Sequence, residues 1–246
     1  MNKPLLVTFD HNCIVALENR NELMVAAAVE KLITLHQEGI ITIVIGWSTM
    51  FEKPPKGEKP LWFPEQERRL NALGLGNVEQ FKHHQTMWFR NEEGYSTYEP
   101  EYAYLRAVHE AMFPNIDFRF QDYLKCYCQD HQLDLSLYRD ALYYSNPMTR
   151  LYTPPAEWEQ RMAKEQEFPE TSQTMQTLKE IREKWMNAKN DALGLCAHVS
   201  WQGDIFVTSD KHFHKERVKA NLSLLVPGKI LRPGDAVQEI ERQRSL

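Results

Sequence analysis

Three acidic residues follow short apolar runs, at points where β-strands are expected to end. Asp10 comes directly after LLVTF, Glu52 comes a few residues after IITIVIG, and Asp210 follows IFVTS. Functional side chains of an open parallel α/β sheet collect beyond the carboxyl ends of its strands, and an unpaired carboxylate is too costly to bury within the sheet. The sequence therefore predicts that these carboxylates meet at one edge of a sheet.

A fourth acid, Asp191, is expected to reach the same edge. It lies about a dozen residues before the strand that begins near Ile205, and a helix of that length covers roughly 15 to 18 Å. The strand climbs roughly 3.3 Å per residue over about six residues, or about 20 Å. Because these lengths nearly match, Asp191 would lie level with Asp10 and Asp210. Asp204 opens the same strand and would lie at its far end, away from the group.

Four converging carboxylates repel one another unless they take up protons or bind cations. Oxygen ligands without a clustered set of histidines and cysteines favour Mg²⁺ or Mn²⁺. Such ions activate a water molecule and stabilise the charge that develops during phosphodiester hydrolysis. We therefore predict that four acids hold Mg²⁺ or Mn²⁺ and catalyse this reaction: Asp10, Glu52, Asp191 and Asp210.

The densest basic stretch of the sequence directly follows Asp210. It contains Lys211, His212, His214, Lys215, Arg217 and Lys219. Proteins contact nucleic-acid phosphates largely through basic and polar side chains, so we predict that Lys211, His212 and Lys215 bind substrate phosphates. The alternative interpretation is a solvated surface loop followed by a helix.

The beginning of the chain has the pattern of a strand, a helix and a second strand. Residues 5–9 and 40–45 are apolar or β-branched runs typical of buried strands. Residues 21–37 carry a wide apolar stripe of helical period, with Asn21 as the expected N-cap and Gly39 just beyond the C-terminus. Two strands joined by a crossover helix are parallel, and the crossover is right-handed.

The end of the chain continues the same alternation. Residues 174–199 contain no proline and predict a long helix, residues 205–209 predict a strand, and residues 233–244 predict a last helix. Between these elements, PGKILRPGD is expected to form a turn-rich stretch. Together with the first elements, this pattern predicts an α/β fold with a parallel sheet.

Residues 53–174 break the alternation, since they are rich in proline, tyrosine, tryptophan and charge. Their aromatic content is too high for a disordered linker, so we predict a mostly helical insert in a single domain formed by residues 1–52 and 175–246. The aromatic side chains would pack within the insert or against a protein partner, with stacking on bases as the less favoured alternative. Three helical segments are expected: 65–73, 101–112 and 118–129.

The composition of the chain limits which partners and which cellular compartment we expect for this protein. The 246 residues carry a net charge of −5, so a nucleic-acid partner would meet a local positive surface or a bound cation. The apolar runs are far shorter than the roughly 18 to 20 residues of a membrane span, and the first residues do not have the pattern of a signal peptide. Four cysteines in such a chain do not predict a disulfide framework. We therefore expect a cytoplasmic protein without membrane contact.

Two of the cysteines raise the question of zinc. Cys126 and Cys128 are separated by one residue, and His131 lies nearby. Structural zinc sites use a Cys-x2-4-Cys pair with a second pair of ligands elsewhere, and the sequence offers no clear second pair. A helix with partly buried thiols is therefore the favoured interpretation.

The acidic residues and their surroundings resemble the PIN domain, a nuclease fold that includes the toxin ribonucleases of bacterial toxin–antitoxin systems. The matches are FDHN around Asp10 for the first D-x-N motif, STMFE ending at Glu52, NDAL around Asp191, and FVTSDKHF near the end. They cover roughly residues 4–52 and 185–245. A compact PIN domain lacks the long insert.

The resemblance implies a parallel twisted sheet with helices on both faces. It also implies a Mg²⁺- or Mn²⁺-dependent endoribonuclease site formed by the four acids, so RNA is favoured over DNA as the substrate. In that site Asn12 would hydrogen-bond near Asp10, and the hydroxyls of Thr208 and Ser209 would lie around the metal ion or the scissile phosphate.

Two other functional classes fit parts of the sequence. A PIN-like scaffold with a weak or inactive site would bind RNA or a protein partner through the insert. A phosphohydrolase of the haloacid dehalogenase type also has a strand that ends in aspartate. That chemistry usually requires D-x-D, whereas Asn12 stands two residues after Asp10. The sequence leaves the oligomeric state open.

Overall fold

The computed structural model describes residues 3–20, 22–45, 68, 70–75, 79–80, 99–145 and 154–245. The chain divides into two compact units. The first unit comprises Met1–Pro114 and Lys189–Leu246, and it contains the sheet. The second unit comprises Asn115–Ala188.

The sheet has five strands. Their bounds are β1 Leu5–Phe9, β2 Ile41–Ile45, β3 Glu79–Gln80, β4 Ile205–Val207 and β5 Lys229–Leu231. The strand order is β3-β2-β1-β4-β5, and each neighbouring pair runs parallel. Val7 of β1 is in register with Ile43 of β2 and with Ile205 of β4. The strand that ends before Asp10 is therefore central in the sheet.

The helices of the described residues precede, follow and connect these strands. Their bounds are α1 His11–Asn19, α2 Leu23–Gln37, α3 Glu99–Met112, α4 Phe120–Asp130, α5 Leu135–Ser145, α6 Trp158–Gln166, α7 Gln173–Ser200, α8 Glu216–Leu222 and α9 Pro233–Arg244. A 3-10 turn at Pro155–Glu157 precedes α6. Within the described part of the chain, no helix combines the length and the apolar character that a membrane span requires.

One face of the sheet forms the main hydrophobic core. Val7 and Phe9 of β1 belong to it together with Val207 of β4. Helices α1, α2 and α9 cover this face with buried apolar side chains, among them Cys13, Ile14, Val29, Leu32, Ala236 and Ile240. Each fully buried aliphatic or phenylalanine side chain contributes roughly 1.5 to 3 kcal/mol of transfer free energy. This core therefore fixes the position of the strand ends beside the acids.

Helix α7 covers the opposite face. Successive strand residues point to opposite sides, so Thr8 and its register partner Phe206 face away from the main core. His198 of α7 places its Nδ1 2.9 Å from the hydroxyl of Thr8, and its ring meets the ring of Phe206 at 5.6 Å. Phe213, which follows β4, also contacts Phe206, with 5.5 Å between ring centroids. Helical or looped segments thus pack on both faces.

The second unit is helical and has its own aromatic core. The indole nitrogen of Trp185 donates to the carbonyl of Asp117 at 3.2 Å. The guanidinium of Arg161 lies over the rings of Tyr143 and Tyr144, at 5.2 and 5.5 Å from their centroids. It also donates to both tyrosine carbonyls, at 3.3 and 3.2 Å. Arg161 therefore holds both tyrosines from within the unit, while Tyr143 stays 51 % exposed.

The structure confirms the α/β class and the parallel sheet. The last helix has the predicted bounds, and α7 extends the predicted helix of residues 174–199 by one residue at each end. Helix α2 begins at Leu23, and Glu22 occupies the N-cap position, so the predicted cap at Asn21 was wrong. Gly39 follows this helix with φ of +72°, the left-handed conformation that its predicted position requires.

Three elements of the sheet unit were not predicted. Strand β3 is the first, because its two residues fall in a stretch that was expected to be mostly helical. Helix α1 begins at His11, because the Asp10 carboxylate accepts the first backbone N–H and caps the helix. Strand β5 lies within the stretch PGKILRPGD, where its three residues are too short to give an alternation signal. The predicted strand of residues 205–209 is shorter in the structure, where β4 ends at Val207.

The predicted insert covers parts of both compact units. Helix α3 falls in the unit that contains the sheet, whereas α4, α5 and α6 fall in the other. A single domain with an insert at residues 53–174 stays a prediction. Four of the nine residues of the helix expected at 65–73 lie outside the described residues, and residues 68 and 70–72 are helical. On α4, Cys126 is exposed and Cys128 is buried. The two thiols face different surroundings, which favours the partly buried thiol interpretation over zinc.

Candidate functional site

The strand order reverses between β1 and β4, and a crevice is expected at such a point. From β1 the chain runs towards β2 and β3 on one side, and from β4 it runs towards β5 on the other. After β1 it enters α1, whose Cys13 and Ile14 belong to the main core. After β4 it reaches Phe213 on the opposite face. Asp10 and Asp210 follow these two strands, so both lie where the chain diverges.

Asp10 is held by three hydrogen-bond donors. Its Oδ1 accepts from the backbone N–H of His11 at 2.8 Å. Its Oδ2 accepts from the Asn12 amide at 2.7 Å and from the Thr208 hydroxyl at 2.6 Å. An ionised carboxylate offers about four acceptor positions, so roughly one position on Oδ1 remains for another partner. The carboxylate is thus firmly oriented and still able to bind a further group.

Thr208 connects the ends of the two strands. Its side chain is fully buried, and its hydroxyl donates to Asp10 while accepting from the Asn12 amide at 3.0 Å and from the backbone N–H of Asp210 at 3.1 Å. A hydroxyl has one donor and two acceptor positions, so every hydrogen-bonding position is used. Thr208 therefore sets the spacing between Asp10 and the turn that carries Asp210.

Asn12 completes the link between the two strand ends. Besides its two donated bonds, its side-chain oxygen accepts from the backbone N–H of Ser209 at 3.0 Å. The amide therefore needs this orientation, with nitrogen towards Asp10 and oxygen towards Ser209. The predicted contacts of Asn12 and Thr208 beside Asp10 are present in the structure. Ser209 joins the group through its backbone.

The electrostatic state of Asp10 is unusual. Its pKa is raised from 3.8 to about 6, mainly by burial and in part by the charge of Asp210, against three hydrogen bonds that lower it. A neighbouring carboxylate disfavours ionisation because the two negative charges repel. Near neutral pH the crevice therefore concentrates negative charge that a cation would neutralise.

The donor set fits a hard cation in its chemistry, but the described residues bring only two carboxylates together here. Asp10 and Asp210 present carboxylate oxygens, the ligands that Mg²⁺ and Mn²⁺ prefer. Asp210 uses Oδ1 to accept from the backbone N–H of His212 at 2.7 Å. Among the described residues, no three His, Cys, Asp or Glu side chains lie close enough together to hold a metal ion.

The other two predicted acids have different outcomes. Glu52 lies outside the described residues. Asp191 lies on α7 and is partly buried, directly after Lys189 and Asn190, which are 2 % and 7 % exposed. Burial and the nearby Lys189 charge lower the pKa of buried His109 to about 4. The structure brings Asp10 and Asp210 together, and a quartet with Asp191 and Glu52 stays a prediction.

The strand-length argument placed Asp204 correctly. Its carboxylate accepts from the backbone N–H of Leu6 at 2.8 Å, and its own N–H donates to the carbonyl of the same residue at 2.8 Å. It therefore lies at the start of β4, opposite to the end that leads to Asp210.

The basic stretch divides into exposed and engaged side chains. Lys211 and Lys215 are exposed, whereas His212 and His214 are partly buried. His214 donates from Nε2 to the carbonyl of Thr208 at 2.9 Å, and His212 contacts the carbonyl of Met112 at 2.9 Å. Sequence reasoning did not predict the role of His214 at the strand end, because nothing in its local pattern indicates a carbonyl partner.

Comparisons with family models, with curated proteins and with solved structures found no match to this chain. Membership of the PIN family therefore stays a prediction that rests on the residues of the sequence.

Proposed function

We propose that this chain is a PIN-like, metal-dependent nuclease that hydrolyses phosphodiester bonds, with RNA as the favoured substrate. The observation that carries the proposal is the meeting of Asp10 and Asp210 at the point where the strand order reverses. Groups with strongly perturbed pKa values in a crevice are candidates for function. Here the perturbation comes from burial and from a second carboxylate.

In this proposal each residue has a separate task. Asp10 and Asp210 hold Mg²⁺ or Mn²⁺ with help from Glu52 and Asp191. When bound, the ion supplies charge stabilisation and an activated water for phosphodiester hydrolysis. Thr208 and Asn12 orient Asp10 through bonds of 2.6 and 2.7 Å. The exposed Lys211 and Lys215 neutralise substrate phosphates.

The test compares cleavage of labelled single-stranded RNA and DNA with Mn²⁺ by the wild-type chain and two variants, Asp10→Asn and Asp210→Asn. Asp204→Asn is the matched control, because Asp204 flanks β4 at its opposite end. We expect RNA cleavage by the wild type and the control, a loss of at least about a hundredfold in both site variants, and no cleavage with a chelator. Equal cleavage by all four proteins would reject the site.

A second function, a PIN-like scaffold with a weak or inactive site, is favoured by one specific observation. The described acids do not form a group of three ligands for a metal ion. A scaffold would bind RNA or a protein partner through the segment 53–174 without hydrolysis. RNA binding that is equal in the wild type and in Asp10→Asn, with no cleavage by either, would favour this function over the nuclease.

The proposed nuclease would act in the cytoplasm, because four cysteines without a disulfide framework fit a reducing compartment. The test labels the wild-type chain with a fluorescent tag and separates the cell fractions. We expect the label in the cytoplasmic fraction.

A further inference from the structure

His212 uses both ring nitrogens within the protein. Its Nε2 lies 2.9 Å from the carbonyl oxygen of Met112. Because a carbonyl only accepts, Nε2 must carry the proton, and Nδ1 is then an acceptor. The ammonium of Lys215 lies 3.4 Å from this Nδ1 and can donate to it. The His212 ring also stacks on the ring of Phe113, with 4.4 Å between centroids and 2° between planes.

The backbone of the same residue holds the acid of the site. The His212 N–H donates to Oδ1 of Asp210 at 2.7 Å. The Asp210 N–H in turn donates to the Thr208 hydroxyl, and that hydroxyl donates to Asp10. The short turn from Thr208 to His212 therefore has one attachment at the strand end and another at the His212 ring.

The partner of the ring is itself well fixed. Met112 is the last residue of α3, and the last carbonyls of a helix have no partner within the helix. His212 satisfies the carbonyl of Met112, and Asn221 of α8 donates to the carbonyl of Ala111 at 3.3 Å. Tyr104, also on α3, donates its hydroxyl to the carbonyl of Leu225 at 2.8 Å. Helix α3 is thus bonded to the segment after β4 at three points, two of which are at its last two residues.

We propose that His212 is a positioning residue, which keeps the Asp210 carboxylate facing Asp10 by fastening its turn to the end of α3. This role differs from the phosphate contact predicted from the sequence, because both ring nitrogens already have partners. Its effect on cleavage rests on the proposed nuclease function, whereas its effect on the turn does not.

The first experiment measures amide hydrogen exchange of residues 208–214 in the full chain without substrate. His212→Ala removes both the ring stack and the bond to Met112, and His212→Phe keeps a ring that can stack on Phe113. His212→Gln keeps a side-chain N–H donor that can reach the Met112 carbonyl. We expect about fivefold faster exchange in the Ala and Phe variants, since one hydrogen bond contributes roughly 1 kcal/mol, and near wild-type exchange in the Gln variant.

The matched control is His131→Gln. His131 is an exposed histidine that stacks on Tyr127, and its substitution should leave exchange in residues 208–214 unchanged. Circular dichroism on all variants establishes that they fold, and the Phe variant keeps the test informative if the Ala variant does not. Unchanged exchange in the folded Ala or Phe variants would overturn the proposal.

The second experiment separates positioning from phosphate contact by steady-state cleavage of RNA with Mn²⁺. A positioning role predicts a kcat about ten to a hundredfold lower in the Phe variant, with KM and the salt dependence of KM unchanged. Rescue of kcat by the Gln variant is expected as well. A raised KM with a weaker salt dependence and an unchanged kcat would indicate a phosphate contact and overturn the proposal. If the wild type cleaves nothing, the nuclease function fails, and the exchange experiment still decides the role of His212.

Discussion

Asp10 destabilises the folded protein at neutral pH, and replacing it with asparagine should reveal this. The folded-state pKa of Asp10 is about 6, against 3.8 as its ordinary value. The folded state therefore holds the proton up to a higher pH than the unfolded state does, and stability is lost as pH rises through this range. The shift of about two pKa units corresponds to about 3 kcal/mol when ionisation is complete, at pH 8.

Asparagine removes that cost but forfeits one hydrogen bond. Its oxygen can take the place of Oδ2 and keep the donors Asn12 and Thr208. Its amide nitrogen then faces the backbone N–H of His11, so the N-cap bond is lost at a cost of about 1 kcal/mol. We therefore expect Asp10→Asn to be more stable than the wild type by about 2 kcal/mol at pH 8. At pH 4.5, where Asp10 is protonated in the folded state, the two proteins should be about equally stable.

The assay is urea denaturation of both proteins at pH 4.5 and pH 8 in a buffer with a metal chelator. Asp235→Asn, which changes an exposed aspartate of α9, is the matched control for the loss of one carboxylate. We compare how much more stable the variant is than the wild type at each pH. This stability difference should be about 2 kcal/mol larger at pH 8 than at pH 4.5. A stability difference that is the same at pH 4.5 and pH 8 would refute the raised pKa of Asp10.

Three further predictions concern single buried groups. Thr208→Val should lower the free energy of unfolding by about 2 to 3 kcal/mol in chemical denaturation, because it removes a fully bonded buried hydroxyl and takes one hydrogen-bond partner from each of Asp10 and Asn12. A loss below about 0.5 kcal/mol would contradict the network. Gly203→Ala should lower the melting temperature clearly, because the added Cβ would lie 2.2 Å from Nδ1 of His198; an unchanged melting temperature would contradict this packing. Burial lowers the pKa of His198 from 6.5 to about 4, so below pH 6.5 the unfolded state takes up a proton that the folded state does not. His198→Gln should therefore reduce the loss of stability between pH 6.5 and pH 5 by about 1.5 kcal/mol, measured by denaturation at both pH values.

The sequence predicted those parts of the sheet unit whose patterns are long enough to read. The strands at residues 5–9 and 40–45 and the helix between them follow from apolar runs and a helical stripe, and the structure has β1, α2 and β2 there. Helix α1 was missed because Asp10 was read as the start of a turn, whereas the same carboxylate can cap a helix. Strand β5 was missed because Pro and Gly on either side of three residues outweigh any strand signal.

The site was predictable where it depends on strand ends and unpredictable where it depends on long-range contacts. The placement of Asp210 near Asp10, and of Asp204 at the other end of β4, follows from strand direction and length. The bonds of His212 to Met112 and of His214 to Thr208 could not be predicted. Histidines beside lysines suggest a phosphate site. The carbonyl partner of His212 lies 100 residues away and that of His214 lies 6 residues away, and neither partner leaves a signal in the local sequence pattern.

The forces acting on Asp10 favour a functional role over a purely structural one. As an N-cap it needs only one donor, the backbone N–H of His11, and a serine or asparagine would serve equally well there. The structure instead raises its pKa by burial and by a second carboxylate, against two more donors that lower it. A like charge beside a capped aspartate lowers stability and adds nothing to the cap. A residue that lowers the stability of the fold while hydrogen bonds hold it rigidly is characteristic of a functional site, where a bound ligand offsets the lost stability. A divalent cation would do so here, and its addition should raise the stability of the wild type but not that of Asp10→Asn.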